Sequence, residues 1–263
     1  MTILDTIKAA AIERVARCKD YKSIYDVRSE AEGLAADNIG KDFAAALGQP
    51  GLNIIAELKK ASPSKGVIAP DFEHIYLDKA KAYEEGGAAA ISCLTEPQFF
   101  LGSDEYLKQV RKAVALPILR KDFTVDEYQI YEAKAIGADA VLLICSILNG
   151  SQLAEYLALA SELKLAALVE VHDAAELQQA LASGAEIIGV NNRNLKDFTV
   201  DTANSLNLRR QVPQDKIFVA ESGITGSADA RRLQKAGVNA ALVGEALMRT
   251  ADVGQLIKEL RGE

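Results

Sequence analysis

Four segments of one pattern recur along this chain at nearly constant spacing. Gly87-Ala88-Ala89-Ala90-Ile91, Gly137-Ala138-Asp139-Ala140-Val141, Gly184-Ala185-Glu186-Ile187-Ile188 and Gly237-Val238-Asn239-Ala240-Ala241 begin 50, 47 and 53 residues apart. In each, a glycine closes a run of helical periodicity and an apolar β-type run starts at once. Further β-type runs fall between them, led by Leu52-Asn53, Leu116-Pro117, Leu165-Ala166 and Asp215-Lys216. The pattern predicts strands over 53–58, 88–94, 117–121, 139–144, 166–171, 186–191, 216–221 and 240–244. Helices are predicted over 73–86, 103–115, 126–136, 151–164, 173–183, 200–210, 227–236 and 252–261. Such alternation implies right-handed βαβ crossovers and a parallel sheet. Two βα units per repeat, four times over, make an α/β fold of the closed (β/α)8 TIM barrel type, as opposed to an open doubly wound sheet.

The 263 residues suit one domain, with an N-terminal helical extension over 1–48 and the barrel over 49–263. Ile3, Ile7, Ala11, Ile12 and Val15 share the face of a first helix, and a second is predicted from Ser29 to Leu47, stopped by Gly48-Gln49-Pro50-Gly51. The net charge of −7 argues against nucleic acid or an anionic membrane as partner. An anionic small substrate would need locally concentrated cations. Cys18, Cys93 and Cys145 lack paired spacing, which suggests neither a disulfide framework nor a zinc site. Cys93 and Cys145 read as small core residues. The N-terminus has no signal-peptide pattern, and the longest apolar stretch, Ala140 to Leu148, is too short to span a bilayer. A reduced, cytoplasmic protein is expected, with a monomer favoured.

Active sites of such barrels lie at the C-terminal strand ends. Those ends carry Glu57 and Lys59; Thr95 and Glu96; Lys121 and Asp122; Ser146; Glu170 and His172; Asn191 and Arg193; Glu221, Ser222 and Gly223; Gly244 and Glu245. The stretch Ile54 to Gly66, IIAELKKASPSKG, turns from apolar to charged at Glu57, and strand parity puts Glu57 and Lys59 on one face. The same parity points Lys121, Glu170 and Asn191 inward. Lys59 and Lys121 would face Glu57 and Glu170 across the mouth, either as a tuned acid–base set or as ion pairs closing it. Ser222-Gly223 and Gly244-Glu245 follow the seventh and eighth strands, the usual phosphate position of the fold. With only His74 and His172 in the chain, a histidine triad or multi-histidine metal site is hard to assemble. His74 is expected at the surface, and His172 could orient Glu170 or merely cap its strand. No nucleotide-binding glycine motif follows a strand, so neither cofactor nor metal is implied.

IIAELKKASPSKG, LTEPQFFLGS, ILRKDF, LVEVHD, GVNNRNL, VAESGI and LVGEALMR together resemble the indole-3-glycerol phosphate synthase family, from about Leu4 to the C-terminus. The resemblance implies a lyase of tryptophan biosynthesis, converting an anthranilate-bearing deoxyribulose phosphate to indole-3-glycerol phosphate with loss of carbon dioxide and water. It implies Lys121 as general acid, Glu170 as general base and Lys59 in dehydration, with Glu57 and Asn191 positioning them. Ser62 would meet the substrate carboxylate and Phe100 its ring. Arg193, Ser222, Gly223 and Gly244 would hold the phosphate end, and the leading helices would cover the mouth. Glu245 departs from the serine that many members carry there. A unit charge about 6 Å from a phosphate costs on the order of 3 kcal/mol at an effective dielectric of about 20. Glu245 is therefore expected to lean toward Arg249, four residues on. Two other readings of the fold stay open at this point. One is an aldose–ketose isomerase, which would need a Cys–Asp pair in place of Lys121 and Glu170; the other is a binding barrel without catalysis.

Overall fold

The computed structural model of the chain describes residues 2–37, 40–194 and 198–263. Three helices lead: α1 (Ile3–Tyr21), α2 (Ile24–Ala36) and α3 (Phe43–Leu47). The strand β1 (Asn53–Leu58) follows, then a short hairpin of β2 (Ala61–Ser62) and β3 (Gly66–Val67). Helices and strands then alternate: α4 (Phe72–Glu85), β4 (Ala90–Leu94), α5 (Asp104–Ala113), β5 (Ile118–Lys121), α6 (Glu127–Ala135), β6 (Ala140–Ile144), α7 (Gly150–Glu162), β7 (Ala166–Val171) and α8 (Ala174–Ala182). The chain closes with β8 (Ile187–Asn191), α9 (Ala203–Arg209), β9 (Ile217–Glu221), α10 (Ser227–Lys235), β10 (Ala240–Val243), α11 (Glu245–Arg249) and α12 (Val253–Arg261).

The sheet is a closed parallel barrel in which β1 pairs with both β4 and β10. The repeat glycines have the local role their pattern implied. Gly87, Gly137, Gly184 and Gly237 sit at φ between 73° and 93°, the left-handed turn that ends a helix and re-aims the chain into a strand. Strand bodies such as Ile54, Ile55, Ala56, Leu142, Leu143, Val169 and Val219 are buried, as a parallel sheet covered by helices requires. Register then sets the height of the polar strand ends. Ile144 lies beside Glu170, Asn191 beside Glu221, and Leu94 beside Lys121.

The second predicted helix is corrected. Ser23 caps Asp26 N–H and starts α2 five residues early, α2 stops at Ala36, and Asp42 caps a separate α3 through Ala45 N–H. Asn38 and Ile39, inside the predicted span, lie outside the described residues. Ile12 is also corrected: Ile7, Ala11 and Val15 are buried, while Ile12 is 51% exposed, one residue off the contact stripe. The predicted 200–210 helix begins at Ala203, because Val200 is bridged to Arg193 instead.

The leading helices reach different ends of the barrel. Helix α3 sits by the strand starts, where Asn53 Nδ2 donates to Leu47 O and Lys41 N–H to Asp139 Oδ1, and its Phe43 and Leu47 are buried. Helix α2 lies along α6, burying Val27, Ala31 and Ala35. Helix α1 alone reaches the opposite end. There Lys8 Nζ donates to Ile147 O at 2.8 Å, Arg14 pairs with Asp122 at 2.7 Å and Lys19 with Asp126 at 2.8 Å. Among the described residues, no helix is long and apolar enough to cross a membrane.

Candidate active site

The C-terminal mouth opens into a cavity of about 720 Å³. Every residue named from the sequence as catalytic or substrate-binding lines it: Glu57, Lys59, Lys121, Glu170, Asn191, Ser62, Phe100, Arg193, Ser222, Gly223, Gly244 and Glu245. Leu94, Leu142, Ile144 and Leu242 add an apolar lining between the charged groups, and Ile3, Leu4 and Ile7 of α1 also border the cavity.

Charges converge on Lys121. Its Nζ lies 3.0 Å from Glu170 Oε2 and 3.5 Å from Glu221 Oε2. Parity at the end of β5 separates it from its neighbour. Arg120 turns outward and is buried against Asp104, Glu132 and Gln129 O, while Lys121 turns in. Burial works against the Lys121 ammonium, yet Glu170, Glu221 and Glu57 outweigh it and leave the group above its ordinary value. Lys121 is therefore not lowered toward neutrality by a second lysine. Lys59 is instead drawn to Glu57, with which it forms a close ion pair.

Glu170 and Glu221 have different environments. Burial pushes the Glu170 carboxyl up, but Lys121, His172 and the Asn191 amide, 3.2 Å from Oε1, more than reverse this and hold it at about 2. Glu221 is pushed up by burial and by Glu170 and Glu57, with Lys121 opposing, to about 7. Its Oε1 has no hydrogen-bond partner among the described residues. Glu221 is thus a site residue to which the sequence assigned no role, although it ends the apolar strand IFVAE on the rim. Its place is set by register, beside Asn191 of β8.

Glu221→Gln tests this balance. Between the ordinary value of 4.5 and about 7 the folded protein holds a proton that the unfolded chain lacks, so this group's contribution to stability falls as pH rises through that window. The variant should melt higher than wild type at about pH 8, with the gain shrinking toward about pH 5, while turnover falls roughly tenfold. Thermal scans and rates at both pH values check it; an unchanged pH dependence of melting would exclude the raised carboxyl.

At one end of the cavity the Phe100 and Phe123 rings are tilted with centroids 5.9 Å apart, and Ser62 Oγ lies 3.4 Å from Ser64 Oγ. Glu96 accepts from the N–H groups of Gln98, Phe99 and Phe100 and fixes that loop. Opposite, Ser222 and Gly223 are both left-handed, at φ 67° and 78°, with Asn192 Nδ2 donating to Ser222 O at 3.0 Å. Gly223 leaves this turn without a side chain, so its backbone N–H is open to an anion in the cavity. Arg193 N–H donates to Asn191 Oδ1 and its guanidinium to Phe198 O. Leu195, the last residue of the GVNNRNL motif, lies outside the described residues. Gly244 leaves no room for a side chain, since a Cβ there would fall 2.4 Å from Glu57 Oε1 and 3.0 Å from Lys59 Nζ. Glu245 pairs with Arg249 at 3.1 Å, as its i, i+4 placement led one to expect. His74 is exposed, and Cys93 and Cys145 are buried.

A parallel (β/α)8 barrel with an acid–base cluster at its C-terminal mouth, an aromatic wall on one side and a glycine-lined loop on the other defines a barrel enzyme. The chain belongs to the indole-3-glycerol phosphate synthase family, whose sequence profile matches residues 4–260. It is 52% identical to the indole-3-glycerol phosphate synthase of Ruminiclostridium cellulolyticum over 260 residues, 99% of each chain. It is 51% identical to that of Endomicrobium trichonymphae over 98% of this chain and 99% of the relative. Among solved structures, a 3-hexulose-6-phosphate synthase superposes with a TM-score of 0.64 at 19% identity, covering 80% of this chain and 99% of the other. A thiamine phosphate pyrophosphorylase from Pyrococcus furiosus gives 0.60 at 21% identity over 80% and 94%. At those identities the likeness is one of fold.

Proposed function

We infer that this chain is an indole-3-glycerol phosphate synthase. It closes the ring of 1-(2-carboxyphenylamino)-1-deoxyribulose 5-phosphate, with decarboxylation and dehydration, to give indole-3-glycerol phosphate. The observation that carries the assignment of roles is Lys121, a charged amine at the cavity floor between two carboxylates of different basicity. The substrate phosphate would sit on the Ser222-Gly223 and Gly244 backbone with Arg193 nearby, and the anthranilate ring against Phe100 with its carboxylate toward Ser62. Held at both ends, the chain folds so that ring carbon and ketose carbonyl meet, a positioning task.

Attack by the ring carbon breaks aromaticity and places negative charge on the carbonyl oxygen. The Lys121 ammonium faces that oxygen and protonates it, giving the alcohol. An amine held above its ordinary value is always loaded with its proton, and an alkoxide is basic enough to take it. Loss of carbon dioxide restores the ring. Lys59, steadied by Glu57, then protonates the departing hydroxyl as water, and Glu170 takes the remaining proton. Glu221 supports Lys121. The aldose–ketose isomerase reading falls away, because Lys121 and Glu170 occupy the positions where a Cys–Asp pair would stand. The working form is a cytoplasmic monomer taking a small phosphorylated substrate, and sedimentation equilibrium tests the oligomeric part.

Indole-type fluorescence appearing when purified protein meets the anthranilate–deoxyribulose phosphate is the expected result. Its absence at micromolar enzyme would overturn the reading. The Glu245–Arg249 pair offers a narrower check. Arg249→Ala should raise KM about threefold to tenfold with kcat nearly constant, because Glu245 is freed to repel the phosphate. Glu245→Ser in addition should restore most of the loss. A KM unmoved by Arg249→Ala would mean the pair shields nothing.

A further inference from the structure

Beside the main cavity lies a smaller one of about 450 Å³, sharing Asn191 and Arg193 with it and bordered by Ser146, His172 and Glu176. Serine, histidine and glutamate together invite a nucleophilic reading, which the hydrogen bonds exclude. Ser146 Oγ and Glu176 Oε2 both lie 3.1 Å from the same ring nitrogen, Nδ1, and the serine hydroxyl donates its proton to Glu176 Oε1 at 2.8 Å. A hydrolytic triad needs acid and serine on opposite nitrogens.

The other nitrogen faces the catalytic cluster. His172 Nε2 is 3.4 Å from Glu170 Oε1, is buried, and has no aligned hydrogen-bond partner among the described residues. The ring is therefore flanked by carboxylates at both nitrogens. A neutral imidazole turns a lone pair on one side toward a carboxylate oxygen, which is repulsive; only the doubly protonated ring suits both neighbours. Its backbone is fixed as well: His172 N–H donates to Glu176 Oε2 at 2.7 Å, and Asn204 Nδ2 to His172 O at 2.9 Å.

We propose that His172 is a positioning residue, held as an imidazolium by Glu176 and Ser146, which aims the Glu170 carboxylate into the main cavity. This rests on Glu170 as the general base. Glu170 then sits between two cations, Lys121 on Oε2 and His172 on Oε1, with Asn191 also on Oε1. The charged groups around the ring are Glu170 of β7, Glu176 of α8 and Glu221 of β9. Lys121 of β5 stands on the far side of Glu170, and Asp173, Asp201 and Arg193 lie along the smaller cavity. Burial alone would lower the imidazole, but Glu176, Glu170 and Glu221 outweigh it and raise it above 6.5. Glu170 thus keeps a fixed carboxylate through the pH range in which His172 stays charged, and loses a restraint above it.

The two histidines of the chain make the test direct. NMR of the imidazole nitrogens, assigned with His74→Gln, should show His172 titrating above 6.5 and moving down in both Glu176→Gln and Glu170→Gln. In kinetics, kcat should decline along an alkaline limb that shifts to lower pH in Glu176→Gln and is absent in His172→Gln. His172→Ala should lose roughly tenfold in kcat with KM within about twofold, and His172→Gln, which keeps an N–H for Glu170, should recover part of it. A limb that persists in His172→Gln, or a titration unmoved by Glu170→Gln, overturns the proposal. The NMR arm needs no turnover, so it reports on the contact even if the assigned reaction is wrong, and Glu176→Gln serves if His172→Ala does not fold.

Discussion

Lys121→Ala is expected to lower turnover by about a thousandfold or more, equivalent to about 4 kcal/mol on the barrier. The magnitude follows from two losses at one atom. The variant has no proton to give the carbonyl oxygen, and no positive charge to meet the negative charge that gathers there in a water-poor mouth. A third consequence complicates the experiment. Glu170 and Glu221 are both buried and share Lys121, so its removal leaves two carboxylates facing each other without a cation. Breaking a buried pair in this way costs about 3–5 kcal/mol of stability unless the carboxylates take up protons. Lys121→Met, which fills the volume, and Lys121→Ala combined with Glu221→Gln separate the effects. The double variant should recover most of the melting temperature, Lys121→Met only the part owed to lost volume, and neither should recover turnover. Glu170→Gln should also be severely slow, yet bind substrate nearly normally, since its shape is kept. If Lys121→Ala kept about a tenth of wild-type turnover, Lys121 would not be the acid.

How far the sequence carried this reading depended on which physical signal each residue leaves in it. The barrel was legible because its repeat is written in backbone requirements: a left-handed glycine at a helix end, then an apolar run buried on both sides. Lys121 and Glu170 were legible because strand parity is strict, so one charged residue ending an apolar strand has its direction fixed. Glu221 had the same signature, but its role depends on register across β8 and β9 and on sharing Lys121 with Glu170, and pairings between distant strands leave no local trace. His172 was left undecided between orienting Glu170 and capping a strand for the same reason. Ser146 and Glu176, which settle its orientation, come from the loop after β6 and from α8. The α2–α3 boundary was missed although Asn38 and Gly40 are breaker residues and Asp42 is a cap ahead of Phe43; the helix-forming runs on either side outweighed them.

Division of the leading segment into helices with different destinations sharpens one further expectation. Removing residues 1–22 should lower kcat/KM by about a hundredfold while leaving a folded barrel, whereas removal through residue 47 should leave no stable fold. Helix α1 contributes Ile3, Leu4 and Ile7 to the cavity lining, so its loss opens the site to water. It also supplies Arg14, whose partner Asp122 follows Lys121 directly; without it Asp122 loses its closest cation and keeps Thr95 at 2.9 Å, the Phe123 N–H at 2.8 Å and Arg120 at 3.7 Å. A misplacement of the acid by about 1 Å is enough to cost on the order of a hundredfold. The stability cost of losing α1 is smaller. Ile7 and Val15 are its large buried apolar side chains, each contributing about 1.5–3 kcal/mol, and α2 remains on α6. Extending the deletion removes Phe43 and Leu47, both fully buried where the strands begin, together with the Asn53 and Asp139 contacts that close that end. Kinetics and thermal unfolding of the two truncations decide the matter. If the 1–22 deletion turned over like the full chain, α1 would be no part of the site, and if the deletion through 47 melted like the shorter one, α3 would not be holding the barrel closed.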